Sequence, residues 1–461
     1  MPNLNPAIFK AYDIRAVYPQ ELDEEKIVPI IRAIYKFFLD RIKKDSFTLV
    51  LSTDMRTSSP SLFKVAKDTL VHLGVNIIDI GVVSTPTFYF AVSHFGYDAG
   101  VQITASHNPK EYNGLKFVMN SPKGLVKIGK PTGMEDIKKM AIEGVSITSS
   151  NNGTVTKKDN VVNDEVDYAI EMMGNPKIKK FKIVADPGNA MGGTYIDALF
   201  KKIPGELIKM NFELDGTFPV HQPDPLQFST LIDLQKRILE EHADLGLAPD
   251  GDGDRLFFID EKAQIVPGSM ITALVARDLL KKHKGETVLF DIRNILTVKK
   301  IVEENNGKPL VTRVGHAYIT EALNKSGGIF AGEGSGHYFF RDTGNAESQV
   351  PVILTVLKVL TQENKTLSQI VEELRRSYEA QETNFRITNA LAVIEKVKDK
   401  YKNGQLDTLD GVSITFPDWR FNIRTSNTEP LLRLNVEAYK KEIMEQKRDE
   451  LINLINSIAQ K

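Results

Sequence analysis

Strand-like and helix-like segments alternate through most of the chain, and this alternation limits the fold more than any other feature. In the first part, Ile27, Ile31, Ile34 and Phe38 fall at helical spacing, and "FTLVLS" then reads as a buried strand. "SSPSLFKVAKDTLVHLG" carries a Ser cap, Pro60 in its first turn and Gly74 as a stop, so it reads as a helix. "VNIIDIG", "TPTFYFAVSHFG" and "AGVQIT" continue as strand, helix and strand. Strands joined by crossover helices build a largely parallel sheet, and such sheets place ligands where strands run into loops.

The pattern repeats without an obvious sequence repeat. A polar stretch, "SITSSNNG", marks a boundary, and "FKIVADPGNAMGG" through "DLGLAPDGDGDR" forms a second unit. A third runs from "LFFID" to "GGIFAGEGSGHYFF" and the helix "LSQIVEELRRSY". After it the strands "GVSITFP", "WRFNIR" and "LLRLNVEAY" follow closely before one long helix. The expected fold is therefore α/β: three similar mixed α/β domains and a smaller α+β C-terminal domain around a central cleft. The limits expected are 1–150, 151–255, 256–372 and 373–461.

The totals narrow the function. Lys plus Arg number 59 against 60 Asp plus Glu, a net charge of −1 that argues against nucleic acid or an anionic membrane as the main partner. The absence of cysteine removes disulfides, thiolate nucleophiles and Cys-based zinc sites. No run of about eighteen apolar residues occurs, and "MPNLNPAIFKAYDIRAVYP" lacks a signal-peptide core, so a cytoplasmic location is expected.

Each unit delivers one polar loop. In "DGDGDR", Asp250, Asp252 and Asp254 alternate with glycines, so three carboxylates converge as the backbone turns, as a hard cation requires. An EF-hand-like calcium loop competes, with Glu261 at its twelfth position, but Arg255 stands where that loop needs Gly; a plain acidic turn is the third reading. Ser106 in "TASHNP" admits a hydrolase nucleophile, a phosphoryl carrier or an ordinary turn; the G-x-S-x-G elbow is missing. Lys116 reads as a proton shuttle with its pKa lowered by Arg15 and Arg255, or as a solvated lysine. "GEGSGH" offers Glu333 and Ser335 for a pair of sugar hydroxyls and His337 as a proton donor or acceptor, or is a simple Gly turn. "RTSNTEP" offers Arg424, Ser426, Asn427 and Thr428 as a phosphate cradle, or is a hairpin turn.

Taken in order, "FKAYDIR", "TASHNPKEYNGLK", "DGDGDR", "GEGSGH" and "RTSNTEP" resemble the α-D-phosphohexomutase family, in its phosphomannomutase/phosphoglucomutase branch. The resemblance covers nearly the whole chain. It implies a mutase that interconverts hexose 6-phosphate and hexose 1-phosphate through a hexose 1,6-bisphosphate, with glucose or mannose 1,6-bisphosphate as activator. It implies phosphorylated Ser106, and one Mg²⁺ held by Ser106, Asp250, Asp252 and Asp254. Arg15, Arg255, Lys116 and His337 become catalytic. Tyr12, His316, Glu333, Ser335, Arg424, Ser426, Asn427 and Thr428 become substrate contacts. Nothing in the Glu333–Ser335 pair reads the sugar 2-position, so ambiguous mannose/glucose specificity is expected, from a monomer or weak dimer acting on a small phosphosugar. Phosphoglucosamine mutase, a metal-dependent sugar phosphatase and a non-catalytic calcium or sugar-phosphate binding protein are the rival readings. Three departures stand out: Ala16 after the first Arg in place of Gly, "STDMRTSS" without a Gly before its Asp, and "FFRDTGNAESQVP" without the usual "D…DG".

Overall fold

In the computed structural model the described residues are 3–44, 46–147, 152–425 and 431–459. They form four sheets, each with its own helices. In the first, Thr48–Thr53 lies between the parallel strands Asn76–Val82 and Ala99–Ile103, and Tyr112–Met119 adds antiparallel beside the latter. In the second, Lys182–Ala185 lies between Glu206–Lys209 and Leu245–Pro249, with Leu256–Asp260 antiparallel at the side. In the third, Thr287–Asp291 lies between Lys308–Thr312 and Phe330–Gly332, with Tyr338–Phe340 antiparallel. The three domains share one strand order despite unlike sequences.

That shared order positions the site. The connection from the third parallel strand to its antiparallel neighbour is a short loop at the C-terminal end of the sheet. In the three domains this loop carries Ser106, the Asp250–Asp254 cluster and the Glu333–His337 segment in turn. Ala99–Ile103 and Leu245–Pro249 are buried along their whole length, as strands covered on both faces must be. Each loop is thus anchored to a rigid element at the point where ligands bind in such sheets.

The second and third domains share a continuous core. Val350–Glu363, apolar around most of its circumference, packs against Val161–Met172, Gly192–Phe200 and Gly268–Lys282. The first domain has its own core, in which Ile27–Ile42 lies on Ser59–His72 and Met134–Glu143. The fourth is an antiparallel sheet centred on Trp419–Thr425 and Leu432–Ala438, covered by Ala390–Lys400 and Lys441–Ala459. Among the described residues no helix is long and apolar enough to cross a membrane.

The domain limits differ from those read in the sequence. Leu256–Asp260 and Ile265–Val266 complete the second sheet, so a boundary after Arg255 cuts a hairpin. Val155–Lys157 pairs with Asn76–Val82, so the first sheet extends beyond 150; a three-residue exposed strand has no apolar signature. A boundary after residue 372 falls inside the helix Leu367–Leu374, and the fourth sheet begins at Tyr378.

Candidate active site

The loop Thr104–Glu111 turns so sharply that Ser106 adopts φ of +55°, a conformation most side chains avoid. The fully buried Arg56 holds it there. Its guanidinium donates to the carbonyls of Ser106 at 2.8 Å, Asn108 at 2.6 Å, Pro109 at 2.7 Å and Tyr112 at 2.9 Å, and pairs with Asp54. Ser106 itself is buried, and its Oγ lies 3.1 Å from His107 Nδ1 and 3.4 Å from Asp250 Oδ2.

The acidic loop reaches this serine from the second domain because of Gly251. A Cβ there would stand 2.4 Å from the Ser106 carbonyl oxygen, well inside contact distance. Gly253, at φ +77°, completes the turn. Asp250, Asp252 and Asp254 are all buried, and one ligand oxygen from each lies within 4.8 Å of the others. Strands flank the loop, which rules out the EF-hand alternative. Asp252 Oδ1 is buried with no hydrogen-bond partner. Burial, then the charges of Asp254 and Asp252, push the Asp250 carboxyl well above its usual range. Three crowded carboxylates with an orphaned oxygen form a donor set suited to a hard divalent cation.

Lys116, on the strand opposite Gln102, points into this cluster. Its Nζ donates to Asp252 Oδ2 and Asp254 Oδ2, both at 2.5 Å. Burial works against the charge, but the two carboxylates outweigh it and raise Lys116 well above the ordinary lysine value. The expected lowering by Arg15 and Arg255 does not occur at Lys116. Those cations act instead on His107, which burial and then Arg255 and Arg15 hold well below the usual histidine range. Arg15 is itself fixed by Asp13 at 2.9 Å and by the Asn108 side chain, and Arg255 lies 3.4 Å from His337.

The third loop is a closed network. Glu333 Oε1 accepts from Gly315 N at 2.8 Å, and its Oε2 lies 2.8 Å from His337 Nδ1. Ser335 Oγ is 3.0 Å from the same nitrogen, while His337 Nε2 lies 3.2 Å from Asp254 Oδ1. Burial opposes ionisation of both partners, yet the pairing wins: His337 is raised to about 9 by Asp254 and Glu333, and Glu333 is lowered to about 2 by His337 and Arg293. Arg293 was not singled out in the sequence. It forms a two-pronged bond to Asp291 (2.8 and 2.9 Å) and donates to Ser335 Oγ at 3.2 Å. Its only signal in the sequence is an Arg just past the strand "TVLFD"; in the fold it lines the cleft.

Tyr12 donates to the Val314 carbonyl at 3.1 Å and sets its ring edge-on to His316, 5.2 Å between centroids. From the fourth domain, buried Arg424 pairs with Glu382 at 3.0 Å, and Arg433 lies 3.5 Å from the same carboxylate. Neither Glu382 nor Arg433 was foreseen. Ser426, Asn427 and Thr428 lie outside the described residues. The other singled-out groups, Tyr12, Arg15, Ser106, Lys116, Asp254, Arg255, His316, Glu333, Ser335, His337 and Arg424, line one cleft of about 920 Å³. Asp250 and Asp252 are outside its lining but touch it through Ser106 and Lys116. Of the departures, Ala16 is a buried strand residue opposite Asn113, where a methyl group fits.

Comparison with known proteins agrees with this geometry. Family models for phosphoglucomutase/phosphomannomutase match in order: alpha/beta/alpha domain I over residues 6–143, domain II over 163–264, domain III over 267–378, and the C-terminal domain over 382–454. A phosphomannomutase of Vibrio cholerae is 36% identical over 460 residues, 98% of each chain. One from Escherichia coli is 35% identical over 462 residues, 97% of this chain and 98% of the relative. The crystal structure of a phosphoglucomutase/phosphomannomutase family protein from Burkholderia thailandensis superposes with a TM-score of 0.86 at 28% identity, covering 98% of both chains. Fold, cleft and relatives together define an enzyme of the α-D-phosphohexomutase family, to which this chain belongs. Its branch is that of the phosphomannomutases and phosphoglucomutases, and it acts as a phosphosugar mutase.

Proposed function

We propose that the chain interconverts the 6- and 1-phosphates of mannose and glucose, with Ser106 as the phosphoryl carrier. The observation that carries this reading is the meeting of two domains at one atom. Ser106 Oγ, strained into position by its own domain, lies 3.4 Å from a carboxylate supplied by the next. Asp250, Asp252, Asp254 and Ser106 would hold Mg²⁺, which when bound neutralises charge on the transferring phosphoryl group.

One phosphate cannot cross the sugar ring, so the carrier must lend another. A sugar hydroxyl oxygen bonds to the phosphorus on Ser106 as the P–Oγ bond breaks, leaving a hexose 1,6-bisphosphate. In the reverse sense, with the sugar turned end for end, Ser106 recovers the other phosphoryl group. Lys116, held charged, gives its proton to the departing Oγ and takes up the one the hydroxyl loses, so protons balance. Positioning and charge do most of the work in such a transfer, and Arg15 and Arg255 supply fixed positive charge around the carrier. Arg424 anchors the phosphate that is not in transit. Glu333 and Ser335 face the sugar hydroxyls.

The test is Ser106→Ala. Isomer formation from mannose 1-phosphate and glucose 1-phosphate should vanish, the unfolding midpoint should move by no more than a few degrees, and intact mass should lose one phosphate relative to the parent. Substantial residual isomerisation would overturn the carrier role, and release of free phosphate in its place would mark a phosphatase.

A further inference from the structure

Beside the cleft, the first and third domains meet along Leu125–Lys127 and the helix His316–Ser326. Leu125 N donates to the Gly344 carbonyl at 2.8 Å, and Asn324 Nδ2 to the Leu125 carbonyl at 2.8 Å. At the centre of this seam Lys127 Nζ pairs with Glu347 Oε2, both side chains almost wholly buried. The Lys127 ammonium also stands 4.4 Å from the Tyr89 ring centroid and 5.0 Å from that of Phe339. An apolar pair of the same volume would hold a seam at least as well, since desolvating two charges commonly offsets their attraction. Stability alone does not account for an ion pair here.

The free oxygen of the pair has a specific neighbour. Glu347 Oε1 is buried, makes no hydrogen bond, and lies 3.9 Å from His316 Nδ1. Both ring nitrogens of His316 are also buried without a partner, and His316 lines the cleft. Burial, with the nearby charges of Lys127 and Lys116, keeps this imidazole neutral. A neutral imidazole carries one N–H, and the group facing one nitrogen decides which. A carboxylate oxygen at Nδ1 selects the Nδ1–H form and leaves the Nε2 lone pair free.

We propose that Glu347, braced by Lys127, is a positioning residue that sets His316 in its Nδ1–H tautomer, so that Nε2 accepts a hydrogen bond from a sugar hydroxyl. The 3.9 Å gap closes when the sugar fills the cleft, as site hydrogen bonds commonly tighten on binding. The proposal rests on the reading of His316 as a sugar contact. It gives a role to Glu347 within "FFRDTGNAESQVP", one of the three segments that depart from the family pattern.

The experiment is ¹⁵N NMR of the histidine rings in the full chain, with and without glucose 6-phosphate, the His316 signals being identified by their loss in His316→Gln. The parent should show protonated Nδ1 and bare Nε2. In Glu347→Gln, Lys127 retains the amide oxygen and the NH₂ turns to His316, so the tautomer should invert and the KM for glucose 1-phosphate rise about tenfold, with kcat changed less. The variant Lys127→Met/Glu347→Leu removes both charges of the pair and leaves neither partner buried alone, so it should fold; its His316 should show mixed tautomers and an intermediate KM. The same tautomer in all three proteins, or Nε2–H in the parent, overturns the proposal, because a purely structural seam would shift only the unfolding midpoint. The tautomer is read without turnover, so a failure of the mutase reading would leave this result standing by itself.

Discussion

Arg56 shows how much of the geometry at the proposed carrier Ser106 is set by a side chain that never reaches the cleft. Ser106 sits in a left-handed conformation that costs an L-residue about 1 kcal/mol or more. The loop keeps it because one planar guanidinium satisfies four carbonyls at once. Lysine can offer charge at a single point only, so Arg56→Lys leaves buried carbonyls unpaired at about 1–3 kcal/mol for each. We expect this variant to fold with a lowered unfolding midpoint and to lose at least about tenfold in kcat, as misplaced reacting groups do. Unchanged kcat in steady-state assays would remove Arg56 from the positioning of Ser106. In the sequence "STDMRTSS" stands out only as a departure, since nothing in a string shows that a loop residue lies under another loop. The Lys116 expectation failed for the same reason: its arginine neighbours were visible as motifs, whereas contact with Asp252 and Asp254 arises only when two domains dock.

At the scale of elements, the helix Val161–Met172 joins the first domain to the second and carries a carboxylate where none is easily accommodated. Glu165 is buried, accepts from Thr87 Oγ1 at 2.5 Å on the helix Thr85–His94, and keeps its other oxygen unpartnered. Burial raises it to about 7 from an ordinary 4.5. A folded-state pKa above the unfolded one means stability present below pH 4.5 and lost progressively as pH rises to about 7. Glu165→Gln removes that loss. Denaturant titrations should find the two proteins alike at the acid end and the variant ahead by about 3 kcal/mol above neutrality; a difference independent of pH would refute the buried-acid account. The elements themselves were mostly legible, because helices such as Ile27–Ile42 and buried strands such as Ala99–Ile103 carry strong periodicity or apolar runs. Short pieces such as Val155–Lys157 were not, since their pairing depends on a neighbour far along the chain.

For the whole molecule, the proposed function divides binding and chemistry among domains and so makes them separable by experiment. The carboxylates belong to the second domain, whereas Arg424 and Arg433 face Glu382 within the fourth. Glu382 offsets one of the two positive charges, and on the proposed function a substrate phosphate would compete with it for the same guanidinium groups. Arg424→Ala should therefore raise the sugar-phosphate KM at least about tenfold, the worth of one charge-assisted hydrogen bond or more. Divalent-ion affinity measured by calorimetry should be unchanged. A parallel loss of metal binding would show that the two loops are not independent.

The residues of one chain stretch and their periodicity determined the strand–helix alternation, the composition of each functional loop, and through five ordered motifs the family. Those are local properties, written within ten or fifteen neighbours and readable from them. Tertiary structure alone decided that the three sheets repeat one strand order and so present their loops at one place. It also decided that Gly251 admits Ser106 to the acidic cluster, that Lys116 stays charged between two carboxylates, that Arg293 and Glu382 line the cleft, and that Arg56 and Glu347 stand behind its Ser106 and His316. The physical reason is distance along the chain: burial and Coulomb energy depend on separation in space, and these groups come from segments tens to hundreds of residues apart.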